Sequence, residues 1–341
     1  MGAFVETTYR NPLIAEPWAD PAVAGPDEQG FYWCYATDDE HEPLPTRRFK
    51  VARSRNLVTW ETHPPGAEAG AFRAPIANQG RYRACWAPDV RCVGPRDWRF
   101  YGSLKFDDHG DEGPLGHGII AARSEGPLGF ADTVVLGRGP GFGTIDPCFY
   151  RSSRLGQDFL FWGSGFGPIR GRELRPDGLG FMPGSVTREI LKPEGEERLW
   201  EGVHVVESPR TGDPLFLVSG PDTWHGPYAV AVFAGSPHPL DPARRIPSRA
   251  SLLRANKVWN RCGQAFVIGD AVGQSWIYYH AVRGDAVIPG TESVPRTGGG
   301  FGIPWRQLCV DRLHFDAEGL PYVEGGSPSW TERPGPITRR P

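Results

Sequence analysis

Apolar residues along this chain come in short bursts rather than in helical stripes. Five bursts are dense in aromatic and branched side chains: Gly30-Phe-Tyr-Trp-Cys-Tyr-Ala, Trp98-Arg-Phe-Tyr-Gly-Ser, Asp158-Phe-Leu-Phe-Trp-Gly-Ser-Gly, Pro214-Leu-Phe-Leu-Val-Ser-Gly and Ser275-Trp-Ile-Tyr-Tyr-His-Ala. Runs of this length, bounded by Gly, Pro and polar clusters, predict β-strands, because aromatic and branched side chains suit a pleated surface. With Tyr32, Tyr101, Leu160, Phe216 and Ile277 as markers, the spacings are 69, 59, 56 and 61 residues. Three bursts are followed by a second strand-like segment, Phe49-Lys-Val-Ala-Arg-Ser, Gly118-Ile-Ile-Ala-Ala-Arg-Ser and Tyr228-Ala-Val-Ala-Val-Phe-Ala-Gly-Ser. A repeat of about 60 residues holds a four-stranded meander with generous loops, and meanders set radially make a β-propeller. The pattern therefore predicts an all-β, five-bladed β-propeller, with residues 1–341 as a single unit. A β-sandwich with long loops accounts for the strands but not for the even period. The segment from Arg244 to Asn256 has partial helical character, interrupted by Pro247.

Composition agrees with many strands and tight turns. The chain of 341 residues contains 45 Gly and 35 Pro, yet 12 Trp, 10 Tyr and 18 Phe are spread among them, which separates it from a disordered Gly/Pro-rich chain. A formal net charge of −3 with scattered Arg excludes the basic face that a nucleic-acid binder needs. The acidic run Asp107-Asp108-His109-Gly110-Asp111-Glu112 reads as a solvated loop. No stretch reaches the length of a membrane span, and the first residues show no basic and apolar leader, so no membrane partner and a cytoplasmic location are expected. Six cysteines, Cys34, Cys85, Cys92, Cys148, Cys262 and Cys309, form no C-x-x-C pair and are expected to be buried free thiols.

Candidate chemistry comes from acidic residues in phase with the repeat. Asp20 (Trp-Ala-Asp-Pro), Asp89 (Trp-Ala-Pro-Asp-Val), Asp146 (Thr-Ile-Asp-Pro) and Glu201 (Trp-Glu-Gly-Val-His) are 69, 57 and 55 residues apart. The innermost strands of a propeller line one central funnel, so equivalent positions in successive blades converge. Carboxyl groups brought together there push one another's pKa values apart, leaving one protonated beside another ionised. Such an acid–base pair is what glycoside hydrolysis requires, and inversion needs room for a water between the two groups. Taken singly, Asp before Pro is a common turn initiator. Two glycine-rich stretches, Gly137-Arg-Gly-Pro-Gly-Phe-Gly and Gly298-Gly-Gly-Phe-Gly, lack the helix and the Lys-Ser/Thr ending of a phosphate loop and read as propeller loops.

At these residues the chain resembles glycoside hydrolase family 43, the family of α-L-arabinofuranosidases, β-xylosidases and arabinanases. The resemblance runs from Asn11 to about Ser329 and rests on several motifs in order. They are Asn11-Pro-Leu-Ile with Trp18-Ala-Asp-Pro, Ser54-Arg-Asn-Leu-Val-Thr-Trp-Glu, Trp86-Ala-Pro-Asp-Val, Ile145-Asp-Pro, Gly163-Ser-Gly-Phe-Gly-Pro-Ile, Glu201-Gly-Val-His and the tail from Arg306 to Val323. Asn56 and Val203 stand where the family usually has Asp and Pro. The resemblance implies Asp20 as general base, Glu201 as general acid, and Asp146 as the residue that tunes Glu201 and helps hold the sugar. It also implies Trp86 as a wall for a sugar ring and Ser164 as a sugar contact, while Asp89 is a substrate-side candidate that reads better as structural. The implied substrate is a small oligosaccharide or glycoside with a terminal α-L-arabinofuranosyl or β-D-xylosyl residue, with β-D-galactosyl as a third option. Many members hold a central calcium with the His of a G-x-G-H segment in the fifth blade. Here Gln264 of Asn260-Arg-Cys-Gly-Gln-Ala-Phe stands at that His, so it becomes a candidate for substrate contact, and no metal and no cofactor are expected. His280, in Tyr-Tyr-His-Ala, is expected to be buried and hydrogen-bonded. Two alternatives stay open: a propeller that binds sugar or protein without catalysis, and a retaining fructan-type hydrolase, whose W-x-N-D-P-N-G start Ala19-Asp20-Pro21-Ala22 lacks.

Overall fold

The computed structural model describes residues 3–38, 48–68, 70–72, 82–106, 116–165, 167–193, 199–220, 228–246, 251–294 and 301–339. Five antiparallel four-stranded sheets follow one another along the chain, each with its strands in sequence order. Blade 1 comprises Ala19–Ala24, Tyr32–Thr37, Lys50–Ser54 and Glu61–Thr62; blade 2 comprises Tyr82–Gly94, Asp97–Phe106, His117–Ser124 and Ala131–Gly139. Blade 3 comprises Cys148–Arg151, Asp158–Trp162, Ile169–Glu173 and Arg188–Leu191; blade 4 comprises Glu201–Glu207, Pro214–Gly220, Ala229–Ala234 and Arg244–Arg245. Blade 5 comprises Trp259–Gly269, Ser275–Val287, Pro304–Phe315 and Pro321–Val323. The first strands of neighbouring blades lie against one another, which puts them at the centre of a five-bladed propeller.

Five apolar clusters hold the ring, one at each blade-to-blade boundary. Between blades 1 and 2, the Phe49 ring lies 4.7 Å from Phe100, and Phe72 lies 4.8 Å from Phe100, both edge-on. The boundary between blades 5 and 1 closes the ring around Trp18, Cys34, Trp276 and Tyr278. The remaining three are built on Tyr101 with Leu160, on Phe161 with Phe216, and on Leu217 with Ile277. Edge-to-face aromatic packing of this kind adds to simple burial of ring area.

The amino-terminal segment clasps the last blade. Leu13 N–H donates to Leu308 O (2.8 Å), Asn11 Nδ2 donates to Val310 O (2.9 Å) and Asn11 Oδ1 accepts from Val310 N–H (2.9 Å). Two short ladders, Phe4–Val5 with Thr338–Arg339 and Thr8–Tyr9 with Arg333–Pro334, tie the chain ends together. Asn11 in the opening motif is therefore part of the closure.

Arg244–Arg245 is a strand, and the described residues of 244–256 form no helix, in line with the interruption expected at Pro247; residues 247–250 lie outside the described residues. Five cysteines are buried and free as expected, but Cys92 is exposed at the outer end of its strand. The acidic run 107–112 also lies outside the described residues. No helix of the described residues is long and apolar enough to cross a membrane.

Candidate functional site

Every first strand enters its blade through the same bulge. Ala19 pairs with Thr37 and Ala22 with Tyr35, so two residues of the first strand oppose one of the second. The pattern repeats at Trp86/Ser103 with Asp89/Tyr101, at Glu201/Ser219 with His204/Leu217, and at Gly263/His280 with Phe266/Tyr278. In blade 3, Gly163 N–H donates to Ile145 O and Cys148 pairs with Phe161, which is the same geometry. The residue just inside each bulge is left-handed: Asp20 (φ 52°), Ala87 (43°), Asp146 (56°), Gly202 (59°) and Gln264 (52°). For a residue with a Cβ this conformation costs about 1–2 kcal/mol, and bulges of this kind re-aim side chains near sites.

The left-handed residue's N–H crosses to the preceding blade each time. Ala87 donates to Thr37 Oγ1 (2.8 Å), Asp146 to Ser103 Oγ (2.9 Å), Gln264 to Ser219 Oγ (2.8 Å) and Asp20 to His280 Nδ1 (3.2 Å). The acceptor is in each case the second-strand residue opposite the bulge. In blade 3 that residue is Gly163, which has no side chain to offer. The Asp146 carboxylate takes its place and accepts the Gly202 N–H (Oδ2, 3.1 Å). This substitution carries the Asp146 carboxyl toward Glu201, the residue before Gly202.

The four in-phase acids therefore occupy three different registers. Asp20 and Asp146 are equivalent, Glu201 lies one residue earlier in its strand, and Asp89 lies two residues later than the left-handed Ala87. Asp20, Asp146 and Glu201 come together around Tyr228. The Tyr228 hydroxyl donates to Glu201 Oε1 (2.9 Å), its ring stacks on His280 (5.9 Å, 5°), and burial followed by the charges of Glu201, Asp20 and Asp146 pushes the phenol well up. Two glycines make this convergence feasible. A Cβ on Gly263 would lie 1.9 Å from the Tyr228 ring, and one on Gly202 would lie 2.1 Å from Gln264 Oε1.

The carboxyls differ in their surroundings. Asp20 is buried, and burial alone would raise its pKa. The Arg306 guanidinium (Nη1 to Oδ1, 3.0 Å) and the Thr37 hydroxyl (to Oδ2, 2.5 Å) outweigh burial and hold it well below the usual carboxylate range, while His280 Nδ1, which accepts the Asp20 N–H, lies 3.1 Å from Oδ1. Asp146 goes the other way: burial, then the negative charges of Glu201 and Asp20, raise it well above that range, against one backbone donor and a distant Arg306. Glu201 is half-buried, with Ser164 Oγ donating to its Oε2 (2.6 Å) and Tyr228 to its Oε1.

Beside the acids stands an aromatic face. Trp86 is half-buried and stacks on His117 (5.4 Å, 23°) and on Phe142 (6.4 Å, 26°), while Lys105 Nζ lies 5.6 Å from its ring. Phe142 is 52% exposed and belongs to the loop that leads into Ile145-Asp146.

The expected residues divide as follows. Ser164 stands at the site and holds Glu201 through its hydroxyl. Gln264 lies over Gly202. His280 is fully buried and hydrogen-bonded. Asp89 does not belong with the carboxyl cluster: it is 2% exposed, paired at both oxygens with Arg91 (2.7 and 2.9 Å), and accepts Phe149 N–H (3.2 Å). Its substrate-side assignment is corrected to a structural one, because two residues along a strand carry it past the bulge and down the axis. Reading by sequence missed Tyr228, Arg306, Thr37 and Phe142. Arg306 left a weak signal, a basic residue at the start of an apolar strand, Pro304-Trp-Arg-Gln-Leu-Cys-Val, where it is 7% exposed.

Among the described residues one group has metal-ligating geometry, Asp89, Cys148 and His204, with ligand atoms within 4.8 Å of one another. It does not fit the calcium that many members of the resembled family hold. Calcium takes six to eight oxygen ligands, whereas this set offers sulfur, nitrogen and a carboxylate already paired with Arg91 at both oxygens. His204 Nε2 accepts Val267 N–H (3.1 Å), which assigns its proton to Nδ1, and burial pushes the Cys148 thiol well up.

The sequence model of the family described as "Glycosyl hydrolases family 43" matches residues 9–321. No curated protein sequence matches the chain. Among solved structures, the family 43 protein BlXynB from Bacillus licheniformis superposes with a TM-score of 0.72 at 17% identity, covering 98% of this chain and 60% of that one. Xylan β-1,4-xylosidase from Bacillus halodurans C-125 gives 0.71 at 15% identity, covering 95% and 59%. The α-L-arabinanase of Cellvibrio cellulosa, complexed with arabinohexaose, gives 0.69 at 16% identity, covering 90% and 95%. The chain thus spans about 60% of the length of the first two and nearly all of the third.

Proposed function

Because the chain belongs to glycosyl hydrolases family 43, we propose that it is a glycosidase that cleaves with inversion at a terminal α-L-arabinofuranosyl or β-D-xylosyl residue, with β-D-galactosyl as a third candidate. The observation that carries this reading is the opposite protonation of carboxyls within one site. Asp20 is held ionised by Arg306, whereas Asp146, buried against Glu201, is driven toward its protonated form. A base that stays ionised beside an acidic pair that keeps a proton is the division of labour inversion needs.

In this mechanism Asp20 accepts a proton from a water, and the water oxygen bonds to the anomeric carbon. As the glycosidic C–O bond breaks, Glu201 transfers its proton to the departing oxygen. The product is a sugar of inverted configuration plus the released alcohol, with Asp20 protonated and Glu201 ionised until solvent resets them. Ser164 and Tyr228 fix the two oxygens of Glu201 so that its acidic proton is aimed, and general acid–base assistance of this kind contributes about 10²–10⁴-fold. Buried against each other, Asp146 and Glu201 cannot both ionise, so the pair keeps one proton that is available for Glu201 to transfer. Trp86, extended by Phe142, offers a flat apolar face to the C–H face of the sugar. The xylosidase and the arabinanase among the similar structures support xylose and arabinose.

The test is hydrolysis of 4-nitrophenyl α-L-arabinofuranoside, β-D-xyloside and β-D-galactoside, with the first product's anomer followed by NMR. Turnover of one of them with inversion, lost in Asp20→Ala, is expected. Retention of configuration would overturn the mechanism. Glycan binding without turnover would make the chain a binding propeller. Glu201→Gln should lose about 10²–10³-fold on substrates with poor leaving groups and far less on aryl glycosides; equal losses on both would refute the acid assignment.

A further inference from the structure

One residue level below the carboxyls, the first strands present Ala22, Asp89, Cys148, His204 and Phe266, each two positions after its blade's left-handed residue. Arg91, two residues further along the blade 2 strand, turns its guanidinium back to this level. Its Nε and Nη2 donate to Asp89 Oδ1 and Oδ2 (2.7 and 2.9 Å), and Nη2 lies 3.4 Å from His204 Nδ1. Its Cζ stands 4.3 Å from the centroid of the Phe266 ring, which itself packs on His204 (4.7 Å). Asp89 carries the contact into blade 3 by accepting Phe149 N–H, and His204 carries it into blade 5 by accepting Val267 N–H. A single cation thereby joins the first strands of blades 2, 3 and 5, and the Phe266 ring it covers packs on His204 of blade 4.

We propose that the Arg91 guanidinium is the propeller's built-in axial cation, positioning the strands that bear Asp146 and Glu201 so that the chain folds and acts without a divalent ion. Three arguments support it. A fixed planar donor satisfies both oxygens of Asp89 at once, which a carboxylate pairs with best. Its remaining face covers an aromatic ring, where a desolvated cation is favoured. A divalent cation at the same three ligands would sit within a few ångströms of the guanidinium and be repelled.

Arg91 is a positioning residue, since it touches neither Glu201 nor Asp146. Only the activity readouts below rest on the proposed function; melting temperature does not. Wild-type protein should show the same melting temperature, and the same turnover, after EDTA treatment and with millimolar calcium, magnesium or zinc. Arg91→Ala should melt lower and lose about tenfold in kcat with little change in KM, the cost of a small misplacement of the acids. Millimolar guanidinium chloride should restore part of both losses in that variant while doing nothing for wild type. Arg91→Lys should fall between the two. A rise in wild-type melting temperature with a divalent ion, a fall on EDTA treatment, or an Arg91→Ala protein as stable as wild type would each overturn the proposal. If Arg91→Ala does not fold, the divalent titration of wild type decides alone.

Discussion

Asp20 in blade 1 and Asp146 in blade 3 occupy the same place in their first strands. Both are left-handed, both precede proline, and both are buried. Their carboxyls nonetheless titrate in opposite directions. Apart from the Thr37 hydroxyl of its own blade on Asp20, the difference lies in what other blades deliver. Blade 5 brings Arg306 and His280 to Asp20, while blade 4 brings Glu201 to Asp146, and Gly163 leaves Asp146 to satisfy a backbone N–H that a hydroxyl meets at three of the other boundaries and His280 at the fourth. A repeated backbone has been given two chemistries by its neighbours.

The sharpest way to break the comparison is to make the same isosteric change at both places. Asp20→Asn should cost about 10⁴-fold in kcat, the upper end for loss of a general base. It should also lower stability by about 3 kcal/mol, because the buried Arg306 loses its partner. Denaturant titration and turnover at neutral pH check both. Asp146→Asn should lose about 10²-fold in kcat yet raise the melting temperature. A carboxyl whose folded pKa lies above its unfolded value weakens the fold once pH exceeds the unfolded value, so removing it stabilises at neutral pH. That gain should vanish as pH falls below the ordinary carboxylate range. The same sign for both stability changes would show that the two environments are alike.

A second approach removes the cause rather than the carboxyl. In Arg306→Met, Asp20 loses the charge that holds its pKa down, and burial then pushes it up. The acidic limb of the pH–kcat/KM profile should move to higher pH; an unmoved limb would assign it to another group. The smallest effect is expected at Tyr228→Phe. Loss of one hydrogen bond to a charged or acidic partner is worth about 1.5–3 kcal/mol, so kcat/KM should fall about tenfold to a hundredfold, most clearly on substrates with poor leaving groups. A fall on aryl glycosides alone would mean that Tyr228 acts on the sugar and not on Glu201.

How far the site could be read in advance follows from the same geometry. Asp20 and Asp146 were legible because the bulge that aims them is a local Asp-Pro feature recurring with the blade period. Glu201 and Asp89 were in phase to within two residues, but along a strand two residues separate the carboxyl cluster from the level beneath it. Tyr228 and Arg306 could not be placed, because they enter just before the third strand of blade 4 and near the start of the third strand of blade 5, where nothing in the local sequence distinguishes a site residue from a structural one. Trp86 was readable from its motif, whereas Phe142 stacks on it only because two loops meet.

By itself, the sequence determined the five blades and the in-phase acids at Asp20 and Asp146, since strand periodicity and Asp-Pro turns are local properties that neighbours a few residues away specify. The tertiary structure decided which carboxyl keeps a charge, which one keeps a proton, and which pairs with an arginine on the axis. Those outcomes depend on burial and on charges brought within a few ångströms from blades far apart in the chain, and no local pattern encodes them.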